Sequence, residues 1–374
     1  MPVPRNILLN PGPCTTSERV KQALVMPDLC PRERAFGDLL ARVREKLLAT
    51  VHAEGTHTAV LFAGAGTLAV EAALASLVGP TDQLLVIVNG AYGERAAQIA
   101  RAHARPHRVL RLAWGEFPAR AAVEAALDEA PRATHCFLVH HETTTGMLNP
   151  LDAVVAACRA RGVATIVDAM SSLGGVPLDL RATPADCVIS SANKCLQGLP
   201  GLSFALVRRE LITRAAAFPP RSLYLDLPDQ WRAQEEERQF RYTPPVQILA
   251  ALDAALDEFF AEGAAARHAR YAACHAVLLA GMTRLGFACL VPAAQQSRLL
   301  TAFHEPAHPA WDFDAMHDHL LARGVTVYPG KISGRRTFRL ANLGDLTPAD
   351  LEFFLGHLAE FLRARGIADA APAA

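Results

Sequence analysis

From about residue 57 to about residue 210, short apolar runs alternate with amphipathic stretches of about ten to fifteen residues. The runs are "HTAVLFAG", "QLLVIVNG", "HRVLRL", "THCFLVHH", "VATIVDA", "CVISSA" and "LSFALVRR". Between them lie "AGTLAVEAALASLVG", "GERAAQIARAH", "PARAAVEAALDEA" and "LDAVVAACRARG", and the first and last of these end at a glycine, a common helix stop. Strands separated by helices need crossover connections, and crossovers cover both faces of a mostly parallel sheet. The fold class predicted is α/β. The last strands follow one another with little helix between, so that end of the sheet is expected to be mixed. In such sheets ligands gather beyond the carboxyl ends of the strands. Gly64, Glu142–Thr145, Asp168, Asn193 and Lys194 all fall at or just past such ends.

The flanks differ in pattern. "NPGPCTTSERV" reads as a loop in which Thr15, Thr16 or Ser17 caps a short helix, and Arg34–His52 reads as an amphipathic helix. A long helical stretch, Val246–Leu285, is broken near Gly263. After it come "SRLLTAFH" as strand, "DFDAMHDHLLARG" as helix, "VTVYP" and "RTFRLA" as strands, and "TPADLEFFLGHLAEFLRARG" as helix, which is a smaller α+β unit. At 374 residues the chain exceeds the usual span of a single core. The expected division is an N-terminal segment 1–20 that packs on the small domain, a large domain 21–260, a small C-terminal domain 261–367 and a disordered tail 368–374.

Composition excludes several classes of function. The formal net charge is zero, so no basic field draws nucleic acid to the chain. "QEEERQFR" is mixed in sign and reads as a solvated segment. No apolar run of about 18–20 residues is present to span a bilayer. The prolines of "MPVPRNILLNPGP" interrupt any signal-like stretch. The eight cysteines are scattered with no CxxC pair, as expected of reduced thiols in a cytoplasmic protein. His140-His141-Glu142 and His317-x-His319 match neither HExxH nor a helical i,i+4 pair, so no metal site is expected.

Of the 37 basic residues only Lys21, Lys46, Lys194 and Lys331 are lysines. Lys21 and Lys46 fall in amphipathic stretches, as solvated charges do. Lys194 follows the apolar run "CVISSA" and is flanked by Asn193, Cys195 and a Gly/Pro turn. Asp168 closes the run before it. A strand-end aspartate followed by a strand-end lysine suits pyridoxal phosphate (PLP): the lysine forms a Schiff base and the aspartate pairs with the pyridinium nitrogen. The pair alone is equally compatible with a lysine closing a loop and an aspartate capping a helix.

Other stretches carry similar double readings. "AGAGTLAVEA" opens a helix with Gly64, Ala65, Gly66 and Thr67, whose N–H groups and dipole suit a phosphate, although a tight turn is the plainer account of such glycines. "NGAYGER" places Tyr92 in a strand-to-helix loop, able to stack on a planar ring or to fill core. "HHETTTGMLNP" offers three hydroxyls, which turns and caps also favour. Arg339, between Phe338 and Leu340, has the fork that suits a carboxylate or phosphonate. "RQFRYTPPVQ" is a rigid loop around Tyr242 and Thr243 with no evident partner in its own domain.

Taken together, the chain resembles the class V aminotransferases of PLP fold type I. The strings that carry the resemblance are "LLNPGPCTTS", "VNGAYGER", "HHETTTGMLNP", "IVDAMSSLGG", "ISSANKCLQGLPG", "RSLYLDL", "RYTPP", "VYPGK" and "FRLANLG", in the family's order and over nearly the whole chain. Within the class, "HETTTGMLNP", "SSANKCLQG" and "RSLYLDL" are similar to the enzymes that exchange an amino group between 2-aminoethylphosphonate and pyruvate. The resemblance implies a cytoplasmic homodimer with shared active sites and PLP as cofactor. It implies Lys194 as the Schiff-base lysine, Asp168 as the ring-nitrogen partner, and Gly66 and Thr67 at the phosphate with Gly64 and Ala65. Tyr92 would stack on the ring, beside Asn193, and Thr144 would approach the ring oxygen, with Thr143 and Thr145 as alternatives. Thr243 would reach the phosphate of the other subunit, and Arg339 would bind the substrate anion. Ala65 departs from the family's usual serine but keeps its N–H, and Thr67 replaces a serine while keeping the hydroxyl.

The implied reaction gives phosphonoacetaldehyde and L-alanine, as a step of phosphonate catabolism. A transaminase using alanine or serine with glyoxylate would share every cofactor residue. A cysteine desulfurase-like lyase would need a reactive thiol on a mobile loop, and Cys195 reads as a packed small residue.

Overall fold

The computed structural model describes residues 5–332 and 335–372. Residues 1–4 of the expected N-terminal segment, the side chains of "VYPGK" from 328 on, and the tail's 373–374 lie outside the described residues.

Seven strands form one sheet. Their spatial order is His57–Ala63, Leu202–Arg208, Cys187–Ser191, Ala164–Asp168, Ala133–Val139, Gln83–Val88 and His107–Arg111. Leu202–Arg208 runs antiparallel to both of its neighbours, and the other pairs are parallel. This is the mixed end expected from strands that follow without a helix between them.

Successive side chains in a strand point to opposite faces, and the strand residues divide accordingly. Leu61, Leu138, Val167, Val188 and Leu206 join one apolar cluster, with Leu40 from the helix Arg34–Ala49 and Leu252 from Val246–Glu262. Val60, Phe62, Phe137, Ile166, Ile189 and Ala205 join the other, with Ala73 of Gly66–Leu77 and Ala96 of Ala91–Ala102. Burial on both faces explains why these strands read as continuous apolar runs.

The long helical stretch breaks where glycine allows it. Val246–Glu262 ends at Gly263, whose φ is +82°, and Ala264–Arg284 begins at once. A three-stranded antiparallel sheet follows, ordered Leu300–His304, Arg335–Ala341, Tyr328–Ile332. It shares an apolar cluster with Leu278 of the preceding helix and Phe354 of Pro348–Ala364, a helix opened by a capping box of Thr347 and Asp350. Near the N-terminus, Ile7–Leu8 pairs in parallel with Val325–Thr326. Among the described residues no helix is long and apolar enough to cross a membrane.

Three expectations need correction. The mixed-charge segment is not solvated along its length: Leu227–Glu236 is a helix, and Gln234 is fully buried. Its amide donates to the Leu61 carbonyl at 2.7 Å and accepts from the Leu61 N–H at 3.0 Å, while Gln230 donates to the same carbonyl at 2.9 Å. His57–Ala63 is an edge strand with unpaired backbone groups, and this helix covers them. The tail is not wholly disordered, since Ala370 is buried and its N–H donates to the Leu285 carbonyl at 3.1 Å. Tyr92 lies in the first turn of Ala91–Ala102 rather than in the loop before it.

Candidate active site

Asp168 is the last residue of its strand, and its side chain is buried. Its Oδ1 accepts the Met170 N–H at 2.9 Å. Burial pushes its carboxyl up to about 6, against that hydrogen bond and the charges of Arg95 and Lys194. Lys194 lies in the turn after Cys187–Ser191, and its Nζ donates to the carbonyl of Pro11 at 2.6 Å. Burial lowers its pKa; Asp168 among others opposes the shift, and the Arg339 charge adds to it. Lysine, aspartate and arginine are thus near enough for their charges to act on one another.

The N-terminal loop lies against the lysine. A Cβ at Gly12 would lie 2.4 Å from Lys194 Nζ, and φ there is +130°. Glycine is required by both space and backbone.

One wall is a helix N-terminus. Ala65 precedes Gly66–Leu77 and gives it no side-chain cap. A Cβ at Gly66 would meet Met170 Sδ at 2.3 Å, so glycine here lets the helix start against the methionine that follows the strand end carrying Asp168. Thr67 Oγ1 accepts from Arg95 Nη1 at 3.1 Å, and the Arg95 guanidinium lies 5.0 Å from the centroid of the Tyr92 ring. Uncapped N–H groups, a hydroxyl and an exposed cation together fit a phosphate. A buried carboxyl and a half-buried amine at the ends of neighbouring strands fit the ring nitrogen and aldehyde of PLP. The residues present fit the cofactor.

Facing this wall is the loop of three threonines. Thr144 Oγ1 donates to Glu142 Oε1 at 2.5 Å, and Thr145 Oγ1 donates to the Glu142 carbonyl at 3.3 Å. The Thr143 carbonyl accepts from Arg339 Nη1 at 3.1 Å, which ties the small sheet to the loop. Asn193 is half-buried in the lysine turn.

Gly64, Ala65, Gly66, Thr67, Tyr92, Thr144, Asp168, Asn193, Lys194 and Arg339 are thus gathered at one end of the sheet. Thr243 lies at the same end but outside that group: it is exposed and lines a surface cleft with Ala63, the residue before Gly64, and with Tyr224 and Tyr242, whose rings stack at 5.4 Å.

The geometry brings in three groups to which the sequence assigns no role. Arg95 follows Tyr92 by three helical positions, a spacing that puts both on one face and could have flagged it. Glu142 falls at a strand end together with the threonines but has no role of its own in the sequence. The Pro11 carbonyl has no sequence signal.

The family model for class-V aminotransferases matches residues 22–344. A 2-aminoethylphosphonate–pyruvate transaminase of Syntrophobacter fumaroxidans is 43% identical over 349 residues, covering 92% of this chain and 93% of that protein. Another, of Aeromonas hydrophila, is 42% identical with 93% of each chain covered. Among solved structures, alanine–glyoxylate aminotransferase from Nostoc sp. superposes with a TM-score of 0.89 at 28% identity, covering 97% of each chain. The match spans the strand-end aspartate, the lysine turn and the arginine strand alike, and the chain belongs to the class-V aminotransferases.

Proposed function

We propose that this chain is the PLP-dependent transaminase that passes the amino group of 2-aminoethylphosphonate to pyruvate, giving phosphonoacetaldehyde and L-alanine in phosphonate catabolism. The observation that carries it is Lys194 in the turn after Cys187–Ser191, the neighbour of the strand that ends in Asp168, where the Pro11 carbonyl holds its amine at 2.6 Å. Relatives bearing that activity in their names, at 43% and 42% identity over most of both chains, support the substrate pair.

Bound here, PLP supplies an electron sink for the carbon that carries the amine. The chain's residues do the rest. Asp168 holds the ring nitrogen protonated, because a buried carboxylate gains most from a cation placed against it. Lys194 Nζ, with its pKa lowered by burial, would take the proton from the amine-bearing carbon of the donor and deliver it to the cofactor, and would carry one the opposite way, to the carbon of the keto acid, in the second half-reaction. The backbone of Gly64, Ala65 and Gly66 and the Thr67 hydroxyl would hold the phosphate, and Asn193 would contact the cofactor beside the lysine. Tyr92 would pack on the cofactor ring, and the Thr144 hydroxyl would be the group offered to the ring oxygen. Arg339 receives the phosphonate in one half-reaction and the carboxylate of pyruvate in the other, with its fork aimed by the Thr143 carbonyl.

We also take the protein to be a cytoplasmic homodimer with shared sites. Leu223 is 76% exposed, and Tyr224 and Tyr242 beside Thr243 are also exposed, an apolar surface suited to a second copy. Thr243 would then serve the partner's phosphate. The eight unpaired cysteines suit a reducing compartment. The domain division we propose is 21–260 and 261–367, with 1–20 packed on the latter, supported by the separate apolar cluster around Phe303, Phe338 and Phe354.

Replacing Lys194 with alanine tests the assignment. Phosphorus NMR should then detect no phosphonoacetaldehyde from 2-aminoethylphosphonate and pyruvate. Turnover near wild type would contradict it.

A further inference from the structure

Glu142 is fully buried at the end of a short strand, outside the set of residues assigned above. Its Oε1 accepts from the Thr144 N–H at 3.1 Å and from the Thr144 hydroxyl at 2.5 Å. Its Oε2 accepts from the Tyr92 N–H at 3.3 Å. The Thr144 hydroxyl in turn accepts from the Ala91 N–H at 3.3 Å. These bonds close a ring between the threonine loop and the first turn of the helix Ala91–Ala102.

That helix needs such a partner. Gly90 precedes it and has no side chain to cap it, so its leading N–H groups would be left unpaired. Glu142 and Thr144 satisfy two of them from another part of the chain. Close approach is built into the sequence, because a Cβ at Gly90 would lie 2.2 Å from Glu142 Cδ. The loop is fixed at its far side as well. The Thr143 carbonyl holds Arg339, and the Gly146 carbonyl accepts the Ser297 N–H at 2.9 Å.

We propose that Glu142 is a positioning residue that locks Thr144 to the helix start and so holds Tyr92 and Thr144 in register for the cofactor ring. The inference rests on the reading of Tyr92 and Thr144 as cofactor contacts. A burial this complete is costly for a carboxyl that does nothing. Burial pushes Glu142 up to about 7, with the nearby Asp168 adding to the rise and the donors from Thr144 and Tyr92 opposing it.

The test compares cofactor-free wild type, Glu142→Gln, Glu142→Ala and Gly90→Ala. Each is titrated with PLP, reading the dissociation constant and the visible circular dichroism per bound cofactor, and each cofactor-free protein is melted separately. Glu142→Ala and Gly90→Ala should bind about tenfold more weakly or worse, the loss expected for one buried hydrogen bond, and show a reduced dichroic band. Glu142→Gln keeps an acceptor for Thr144 and should restore most of the band. A wild-type band in Glu142→Ala or Gly90→Ala, or no recovery in Glu142→Gln, would overturn the proposal. So would a lowered melting temperature with unchanged dichroism, which is what a purely structural role gives. Should Glu142→Ala fail to fold, Gly90→Ala and Glu142→Gln decide the matter. Wild type that binds no PLP would overturn the functional reading itself, and this inference with it.

Discussion

Lys194 Nζ donates a 2.6 Å hydrogen bond to the carbonyl of Pro11, a residue 183 positions earlier in the chain. The N-terminal loop thus lies directly against the amine on which the proposed chemistry depends. Gly12, beside that carbonyl, leaves no room for even a methyl group.

Gly12→Ala should therefore displace Lys194 without touching Asp168 or the helix at Gly66. Borohydride reduction of the PLP-loaded protein should label the Lys194 peptide about tenfold less than in wild type, read by mass spectrometry. Labelling equal to wild type would show that the loop does not set the lysine's position.

Arg339→Lys keeps the charge and loses the fork. KM should rise about tenfold or more for both 2-aminoethylphosphonate and pyruvate, since a bidentate pair becomes a point charge. Steady-state kinetics with each substrate varied in turn checks this. A rise for the phosphonate alone would contradict the dual role.

Asp168 carries a pH signature in the cofactor-free protein. Its folded pKa of about 6 lies above the ordinary carboxyl value. The folded state thus holds the proton more tightly than the unfolded state, so the associated stability is present at low pH and is lost as pH rises through about 6. Asp168→Asn removes the titration while keeping an acceptor for the Met170 N–H. Its stability relative to wild type should grow between about pH 4 and 6, by on the order of 3 kcal/mol. Denaturant melts at several pH values measure it; a difference flat with pH would contradict the buried, proton-sharing carboxyl.

Gln234 satisfies both backbone groups of Leu61 on the open edge of the sheet. Gln234→Ala should cost about 2 kcal/mol of unfolding free energy, because buried polar groups lose their partner. Chemical denaturation reads this directly, and an unchanged midpoint would contradict the account of the covered edge.

What the sequence made visible follows from where each signal lives. Lys194 and Asp168 stand at the ends of apolar runs, so local pattern alone places both at the site-bearing edge of a parallel sheet. Gly66 and Thr67 are similarly local, opening a helix after a strand. The break at Gly263 is written in one residue. Glu142 and Gln234 are different: their partners, Tyr92 and Leu61, come from elements 50 and 173 residues away, and nothing in a neighbouring string encodes that meeting. A buried polar side chain inside a charged run looks like solvated surface until the strand edge it covers is known. The carbonyl of Pro11 is backbone and has no residue-type signal at all.

The central claim is that this site takes the amine from 2-aminoethylphosphonate and keeps it until a keto acid arrives. The direct measurement is a half-reaction: add 2-aminoethylphosphonate, alanine, serine or cysteine separately to the yellow PLP-loaded protein without acceptor, and follow visible absorbance. The account predicts that 2-aminoethylphosphonate and alanine each bleach the band to the pyridoxamine form, and that pyruvate restores it. Bleaching by alanine or serine, with the phosphonate inert, would contradict the substrate assignment while leaving the class-V chemistry in place.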